Sequence, residues 1–152
     1  MRSFRVWFLY SFVALAITEP CLGQADSAKQ LVEDVQGKLM VQLQQLEERH
    51  YQQYGPQFML PIPSNVNQHI IIQLTADTDY AIVAACDSMC HHLSVSFSDE
   101  AGNRLVATSE IVPTQVVMGT VPSTGLYSFE LGVPGCTAKA CFVGVIMTRK
   151  GQ

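Results

Sequence analysis

The chain has 152 residues, of which 48% are hydrophobic and 14% are charged, with five cysteines, one tryptophan and a formal net charge of −4. This length suits one modest domain with short additions rather than two full enzyme domains. The mildly acidic charge argues against nucleic-acid binding, which needs a basic face, and the hydrophobic content excludes a long disordered chain.

Residues 1–23 have the three-part pattern of a secretory signal peptide. Arg2 and Arg5 precede an apolar run over residues 6–17, and a small residue, Gly23, follows it. The run is too short for a helix that spans a bilayer, which needs about 20 residues. We expect cleavage after Gly23, export to the periplasm or out of the cell, and no stable membrane insertion afterwards. An uncleaved membrane anchor is the alternative.

Four cysteines follow this segment: Cys86, Cys90, Cys136 and Cys141. An even number in an exported chain indicates two disulfides. Three pairings are open from the sequence, and we favour the local pairs Cys86–Cys90 and Cys136–Cys141, each of which closes a small loop. The spacings fit the standard zinc ribbons poorly, and the Cys-x-x-Cys redox motif is absent.

Residues 24–56 are predicted as an amphipathic helix, with its periodic part over 27–53. Ser27 and Gln30 fit a capping box, and Gly55 begins the stop signal. Packing on the chain's own domain is the simpler use of the apolar face. The helix is long for one face of a small sandwich, however, which motivates a second hypothesis. In it the face binds a partner protein or a second copy of the chain. The residues of this predicted interaction helix are Leu31, Val35, Leu39, Leu43 and Leu46.

Residues 57–65 are predicted as a Pro-rich linker, because Leu60-Pro61-Ile62-Pro63 is stiff and extended. From residue 66 to residue 152 the pattern changes to a period of two and to β-forming residues. The seven predicted strands cover residues 69–74, 79–86, 93–98, 104–108, 115–121, 127–131 and 141–148. Short strands with turn signals between them predict a mainly β fold, an antiparallel β-sandwich preceded by one long amphipathic helix.

Several stretches of this region resemble the bacterial pre-peptidase C-terminal (PPC-like) domains. They have the rhythm of that family, in which a strand ends in a D-x-x-G turn and a P-x-x-G-x-Y turn opens a later strand. The stretches are residues 80–90, 93–97, 99–103, 122–129 and 136–145. Together they carry the resemblance over about residues 66–148.

The resemblance implies a jelly-roll β-sandwich without catalytic residues of its own. Such domains are usually appended to secreted hydrolases, where they serve secretion, stability or binding, and some bind calcium. This chain departs from the family in having only a helix where a hydrolase would stand. Its loop after Asp87, commonly Asp-rich in relatives, carries Ser88, His91 and His92 instead.

A candidate metal site lies in and near this loop: Asp87, His91, His92 and Asp99. Imidazole and carboxylate ligands together suit a transition metal. Adjacent residues on a strand point to opposite faces, however, so His91 and His92 do not readily share one ion. The alternative is a disulfide-pinned loop that leads into a strand.

We find no catalytic motif and no signature of a cofactor. Asp77 and Asp79 could be read as paired carboxylates, but turn chemistry explains them without an activity. Tyr80, Tyr127 and Phe129 occupy inward positions of alternating strands. Few aromatic side chains therefore remain for a flat surface on which a sugar could stack. The leading hypothesis is therefore a non-enzymatic, exported accessory protein that binds another envelope or secreted protein. A glycan- or calcium-binding module is the alternative, and a hydrolase with an unrecognised site is a third class.

Overall fold

One helix precedes nine strands in the described part of the chain. The computed structural model describes the backbone of residues 22–110 and 113–151, and the side chains of residues 27–108 and 113–151. The elements are α1 (Leu22–Glu47), β1 (Tyr51–Gln53), β2 (Phe58–Pro63), β3 (Gln68–Leu74), β4 (Thr78–Cys86), β5 (Leu93–Asp99), β6 (Arg104–Glu110), β7 (Thr114–Val121), β8 (Gly125–Gly132) and β9 (Ala140–Lys150). The predicted signal peptide lies outside the described residues except for Leu22 and Gly23, the first two residues of α1.

The strands form two antiparallel sheets. In the first, called sheet A, the order is β1-β9-β4-β7, and β2 also pairs with β9. In the second, called sheet B, the order is β3-β8-β5-β6. The predicted fold class, a mainly β antiparallel sandwich behind one helix, is confirmed.

The main core consists of side chains that alternate along the strands of both sheets. Phe97 stacks on Phe129, with ring centroids 4.9 Å apart, and on Tyr127, with centroids 5.2 Å apart. Tyr80 is also buried, and its ring meets the edge of Tyr54 at 5.5 Å. The aromatic residues predicted to point inward therefore do so, as the period of two requires.

A second, smaller core lies between α1 and the outer face of sheet A. The helix contributes Val35, Leu39, Leu43 and Leu46, and β4 and β9 contribute Ala81, Val83, Ala85 and Ile146. Close approach depends on Gly144 of β9. A Cβ atom there would lie 2.5 Å from Cδ1 of Leu39 and 2.7 Å from Cγ1 of Val35. The helix is thus the third layer of the domain.

The helix ends earlier than residue 53, the predicted end. It stops at Glu47, and His50, with a φ of 65°, reverses the chain direction. Tyr51 then pairs with Lys150, so that β1 extends sheet A. Pairing with the long strand β9 satisfies backbone groups that a further helical turn would have satisfied internally, and the chain buries Tyr51 at the same time.

The predicted linker over residues 57–65 is also wrong, because most of it forms β2. Phe58 pairs with Val145, and the ladder continues to Pro63, which pairs with Ala140. Strands at the edge of a sheet tolerate proline, since one side of the strand has no partner to receive a hydrogen bond. The sandwich therefore begins at Tyr51 rather than at residue 66.

Candidate functional site

Two disulfides pin neighbouring loops at one end of the sandwich. Cys86 is bonded to Cys90 and Cys136 to Cys141, each with Cα atoms 5.9 Å apart. The favoured local pairing is confirmed. Cys90 and Cys136 are also partners in an isolated antiparallel bridge, so the two loops are adjacent. Two disulfides indicate an oxidising, extracytoplasmic environment.

Asp87 connects the same two loops. Its carboxylate is fully buried and accepts hydrogen bonds from the backbone amides of Met89, at 2.9 Å, and Phe142, at 2.7 Å. Both carboxylate oxygens are thereby engaged by the protein itself. Asp87 organises the loops and does not face solvent.

The predicted metal ligands do not come together. Asp87 is buried as described, whereas Asp99 lies at the end of β5, where it accepts hydrogen bonds from Asn103. His91 is exposed on the loop between them. Over residues 22–110 and 113–151, no group of three or more His, Cys, Asp or Glu side chains could hold a metal ion. The four residues of the metal hypothesis, Asp87, His91, His92 and Asp99, therefore do not form one metal site in the structure.

Asp99 closes the turn between β5 and β6. The side-chain amide of Asn103 donates to its Oδ2 at 2.8 Å, and the backbone amide of Asn103 donates to its Oδ1 at 2.7 Å. These hydrogen bonds, that of the Asn103 side chain above all, favour the ionised form and lower the pKa of Asp99 below its ordinary value.

Asp77 and Asp79 line an open cavity of about 540 Å³, together with Arg149 and Lys150. Asp77 has a φ of 54° and occupies the turn before β4. Asp79 instead forms an ion pair with Lys150, at 3.7 Å, and accepts a hydrogen bond from the Thr120 hydroxyl. The two carboxylates therefore have separate structural partners or positions, which agrees with the turn interpretation. The basic residues of this cavity were not singled out from the sequence.

The predicted interaction helix is used within the chain. Val35, Leu39, Leu43 and Leu46 are buried against sheet A, and Leu31 is half-buried. Val35, Leu39, Leu43 and Leu46 are covered by the chain's own sheet and do not offer a surface to a partner. A signal for this packing was present in β4, where apolar residues occupy both faces of the strand, as in a strand covered on both sides.

The helix leaves one strand of sheet A largely uncovered. α1 packs over β9 and β4, and the outward side chains of β7, Val116 and Met118, remain 37% and 41% exposed. They line a shallow groove of about 210 Å³ with Gln42, Gln45, Leu46 and Arg49 of the helix side. We call Val116, Met118 and the unpaired edge of their strand the β7 edge.

The β7 edge lacks the features that usually prevent strands from pairing with another chain. Residues 114–121 include no charged residue and no proline, and all eight pair with β4 without a register shift. Charges, prolines and bulges are the common protections of edge strands. At the opposite edge β2 has Pro61 and Pro63, and in sheet B β6 has Arg104 and a register shift against β5. Within the described residues, β4 is the one strand that pairs with β7.

The fourth edge strand, β3, differs from β7. Its outward face places the exposed Ile71 between the polar residues His69 and Gln73. On β7, by contrast, Val116 and Met118 are two successive outward positions with apolar side chains beside a groove. The sequence does contain a signal for β7. Residues 116–118 are consecutive apolar residues, so apolar side chains lie on both faces of the strand, and this pattern predicts burial on both faces.

The outer face of sheet B is polar around Glu130. Ser94, Ser96 and Ser98 of β5 lie beside Ser128 and Glu130 of β8. Glu130 accepts hydrogen bonds from the side chains of Ser96, at 3.3 Å, and Asn67. A depression of about 250 Å³ lies over this region. The face presents hydroxyl, amide and carboxylate groups, and the aromatic rings of these strands point into the core.

Comparison with protein-family models finds none that matches this chain, and comparison with curated proteins finds no significant match. Among the described residues, no helix combines the length and the apolar character that crossing a membrane requires.

Proposed function

We propose that this chain is an exported, non-enzymatic accessory protein that binds another protein of the cell envelope or of the extracellular space. The β7 edge is the observation that carries the proposal. An uncharged strand edge with free backbone donors and acceptors is a template for an extended segment of another polypeptide. Main-chain hydrogen bonds supply affinity in such complexes, and the side chains beside them supply selectivity. Here Val116 and Met118 offer the apolar contacts.

Export is supported by the two disulfides, which form and persist outside the cytoplasm. The route we propose is the signal peptide over residues 1–23, removed after Gly23. Sequencing the amino terminus of the exported protein tests the route, since a chain that starts at Gln24 supports it and an uncleaved chain contradicts it.

A PPC-like jelly roll is the fold that we propose within the sandwich class. The strand pairing supports it: β5 pairs with β6, β4 with β7, β3 with β8 and β2 with β9. The part from β2 to β9 thus resembles one long hairpin, with its tip between β5 and β6, rolled into two sheets, and β1 is an additional strand of sheet A beside β9. Two sheets of this kind with eight strands are typical of jelly rolls. PPC-like domains are usually appended to secreted hydrolases, and an accessory role for this chain agrees with that arrangement.

The binding proposal is tested by affinity capture with the tagged, exported chain. The bait is compared with Met118→Lys, which places an ammonium group at the apolar contact, where its desolvation is costly. Ile71→Lys is the matched control, because Ile71 is an exposed apolar residue of another edge strand. We expect an exported protein to be recovered with the wild type and with Ile71→Lys, and about tenfold less of it with Met118→Lys.

Equal recovery with Met118→Lys, Val116→Lys and the wild type would contradict the role of the β7 edge. Thermal melting of each variant shows whether it is folded, so that loss of binding is separated from loss of structure. A substrate screen that finds turnover by the purified chain would contradict the non-enzymatic assignment.

The polar face of sheet B favours a second candidate function, a glycan-binding module. Rows of serine hydroxyls around Glu130 suit a ligand that is rich in hydroxyl groups, although stacking aromatic side chains are absent from this face in the described residues. A glycan array probed with wild type and Glu130→Ala tests it. Binding that the substitution abolishes supports this candidate, and no signal above background removes it.

A further inference from the structure

The two disulfides share one end of the sandwich, and each joins cysteines that are close in sequence. Cys86–Cys90 and Cys136–Cys141 bridge separations of four and five residues. We infer that a third disulfide, Cys90–Cys136, replaces them when a small thiol reduces the protein by two electrons. This end of the sandwich is then a redox-sensitive device that links the two loops covalently. The inference is independent of the β7 edge.

Cys90 and Cys136 oppose each other directly in the antiparallel bridge between the loops. The backbone hydrogen bonds of the bridge join the residues that flank the cysteines: the amide of Thr137 donates to the carbonyl of Met89, at 3.0 Å, and the amide of His91 to that of Gly135, at 3.2 Å. The cysteines are therefore a non-hydrogen-bonded pair, whose Cα atoms lie about 4.5 Å apart with their side chains on one face. That separation is within the range of about 4.4–6.8 Å that a disulfide needs.

The other cross-loop pair, Cys86 and Cys141, is less favourably placed. Cys86 of β4 pairs with Val143 of β9, so Cys141 is the diagonal neighbour of Cys86. Diagonal neighbours in an antiparallel ladder are about 7–8 Å apart, a distance that a disulfide does not bridge unless the backbone moves. Of the two cross-loop bonds, the fold therefore favours Cys90–Cys136.

Solvent access determines where the exchange begins. Cys86 and Cys141 are fully buried and Cys90 is 2% exposed, whereas Cys136 is only partly buried. A small thiolate in solution therefore reaches the Cys136–Cys141 disulfide first, at Cys136. Each native disulfide closes a short loop and so removes little entropy from the unfolded chain, which means that the fold should persist when this one is opened.

The exchange consists of three attacks by a thiolate on a disulfide sulfur. The first small thiolate forms a mixed disulfide with Cys136 and releases Cys141, and a second one displaces Cys136 and leaves as a small-molecule disulfide. The Cys136 thiolate then attacks Sγ of Cys90, so that the Cys90–Cys136 bond forms, the Cys86–Cys90 bond breaks and Cys86 leaves. The protons of the two small thiols end on Cys141 and Cys86. Both of these thiols are buried in the native fold, where reagents in solution reach them poorly.

Disulfide mapping of the wild type tests the inference without substitutions. The full exported chain is equilibrated in a graded series of reduced and oxidised glutathione and quenched with acid, and its disulfides are mapped by mass spectrometry. We expect the species with one disulfide to contain mainly Cys90–Cys136, with Cys86 and Cys141 as its free thiols. A species with one disulfide that lacks Cys90–Cys136 overturns the inference, as does a direct passage from two disulfides to none.

Two double variants compare the cross-loop pairs directly. Cys86→Ser with Cys141→Ser keeps Cys90 and Cys136, and the matched control, Cys90→Ser with Cys136→Ser, keeps the diagonal pair. We expect the equilibrium constant for oxidation by glutathione disulfide to be at least about tenfold larger in the first variant than in the control. Equal constants, or a larger one in the control, overturn the inference. Circular dichroism shows whether each variant is folded, and where one is not, the mapping of the wild type decides.

Discussion

At the scale of single residues, several charged side chains hold loops and elements together. Asp87 joins the two disulfide loops through backbone amides. Lys38 of α1 donates to the carbonyl of Cys86, at 2.9 Å, and to Asp34, at 2.7 Å, and so attaches the helix to the first of these loops. These groups therefore have structural partners within the chain.

The pKa of Asp99 provides a test at this scale. Hydrogen bonds from Asn103 lower the pKa, the one from its side-chain amide most of all. We expect Asp99 to titrate below the ordinary value of about 3.9, and Asn103→Ala to raise its pKa toward that value. NMR titration of the Asp99 carboxyl group measures both. Gln73→Ala, at an exposed amide two strands away in sheet B, is the control and should leave the pKa of Asp99 unchanged.

The sign of the effect on stability follows from the lowered pKa. Ionised Asp99 stabilises the folded turn above the pKa of the unfolded chain, and this contribution is lost as the pH falls through the lower pKa of the folded state. Below about pH 4, the free energy of unfolding should therefore change less with pH in Asn103→Ala than in the wild type. An equal pH dependence in both proteins would contradict this role of Asn103.

At the scale of elements, the contact of α1 with β9 depends on one glycine. A methyl group at Gly144 would lie against Leu39 and Val35, too close for ordinary contact. We expect Gly144→Ala to lower the free energy of unfolding by about 1–3 kcal/mol, as overpacking of cores usually does. Urea denaturation of both proteins measures the difference.

Gly37 provides the matched control for Gly144→Ala, with the opposite sign. It lies in α1, and a methyl group there meets no atom within 4 Å. Gly37→Ala should raise the free energy of unfolding by about 0.5–1 kcal/mol, because alanine favours the helix and restricts the unfolded chain. A fall in stability in Gly37→Ala, or no change in Gly144→Ala, would contradict the packing described for α1.

Much of the element structure was predictable, because local patterns determine it. The period of two predicted seven strands close to β3–β9, and the short loop spacing favoured the correct cysteine pairs. The end of α1 and the strand β2 were not predictable, because both depend on pairing with β9, which is distant in sequence. Pro61 and Pro63 argue against a strand unless it lies at an edge, and the position of an edge is a property of the whole sheet.

The candidate site was predicted less well than the fold. The apolar face of the helix was readable, but which surface covers it was not, since Leu39 and Gly144 meet only in the folded domain. The sequence pattern places Val116 and Met118 in a strand, and their partial exposure arises because α1 packs mainly over β9 and β4. The exposure of such residues depends on which strand lies at the edge of the folded sheet.

At the scale of the whole molecule, the two outer faces of the sandwich differ. α1 covers β4 and β9 of sheet A and leaves Val116 and Met118 of β7 partly exposed, whereas sheet B presents serines and Glu130 to solvent beside the exposed Ile71 and Leu126. Disulfides pin the loops at one end of the sandwich, and the β7 edge lies along its side. The strand addition that we propose rests on this edge, which has no charged residue and no proline.

The most direct test of the central claim is photo-crosslinking from the β7 edge under native conditions. A photoreactive amino acid replaces Met118 in the exported chain, and a matched variant carries it in place of the more exposed Ile71. We predict a discrete adduct with another exported protein from position 118, and little from position 71. No adduct from position 118, or equal adducts from both positions, would contradict binding at the β7 edge.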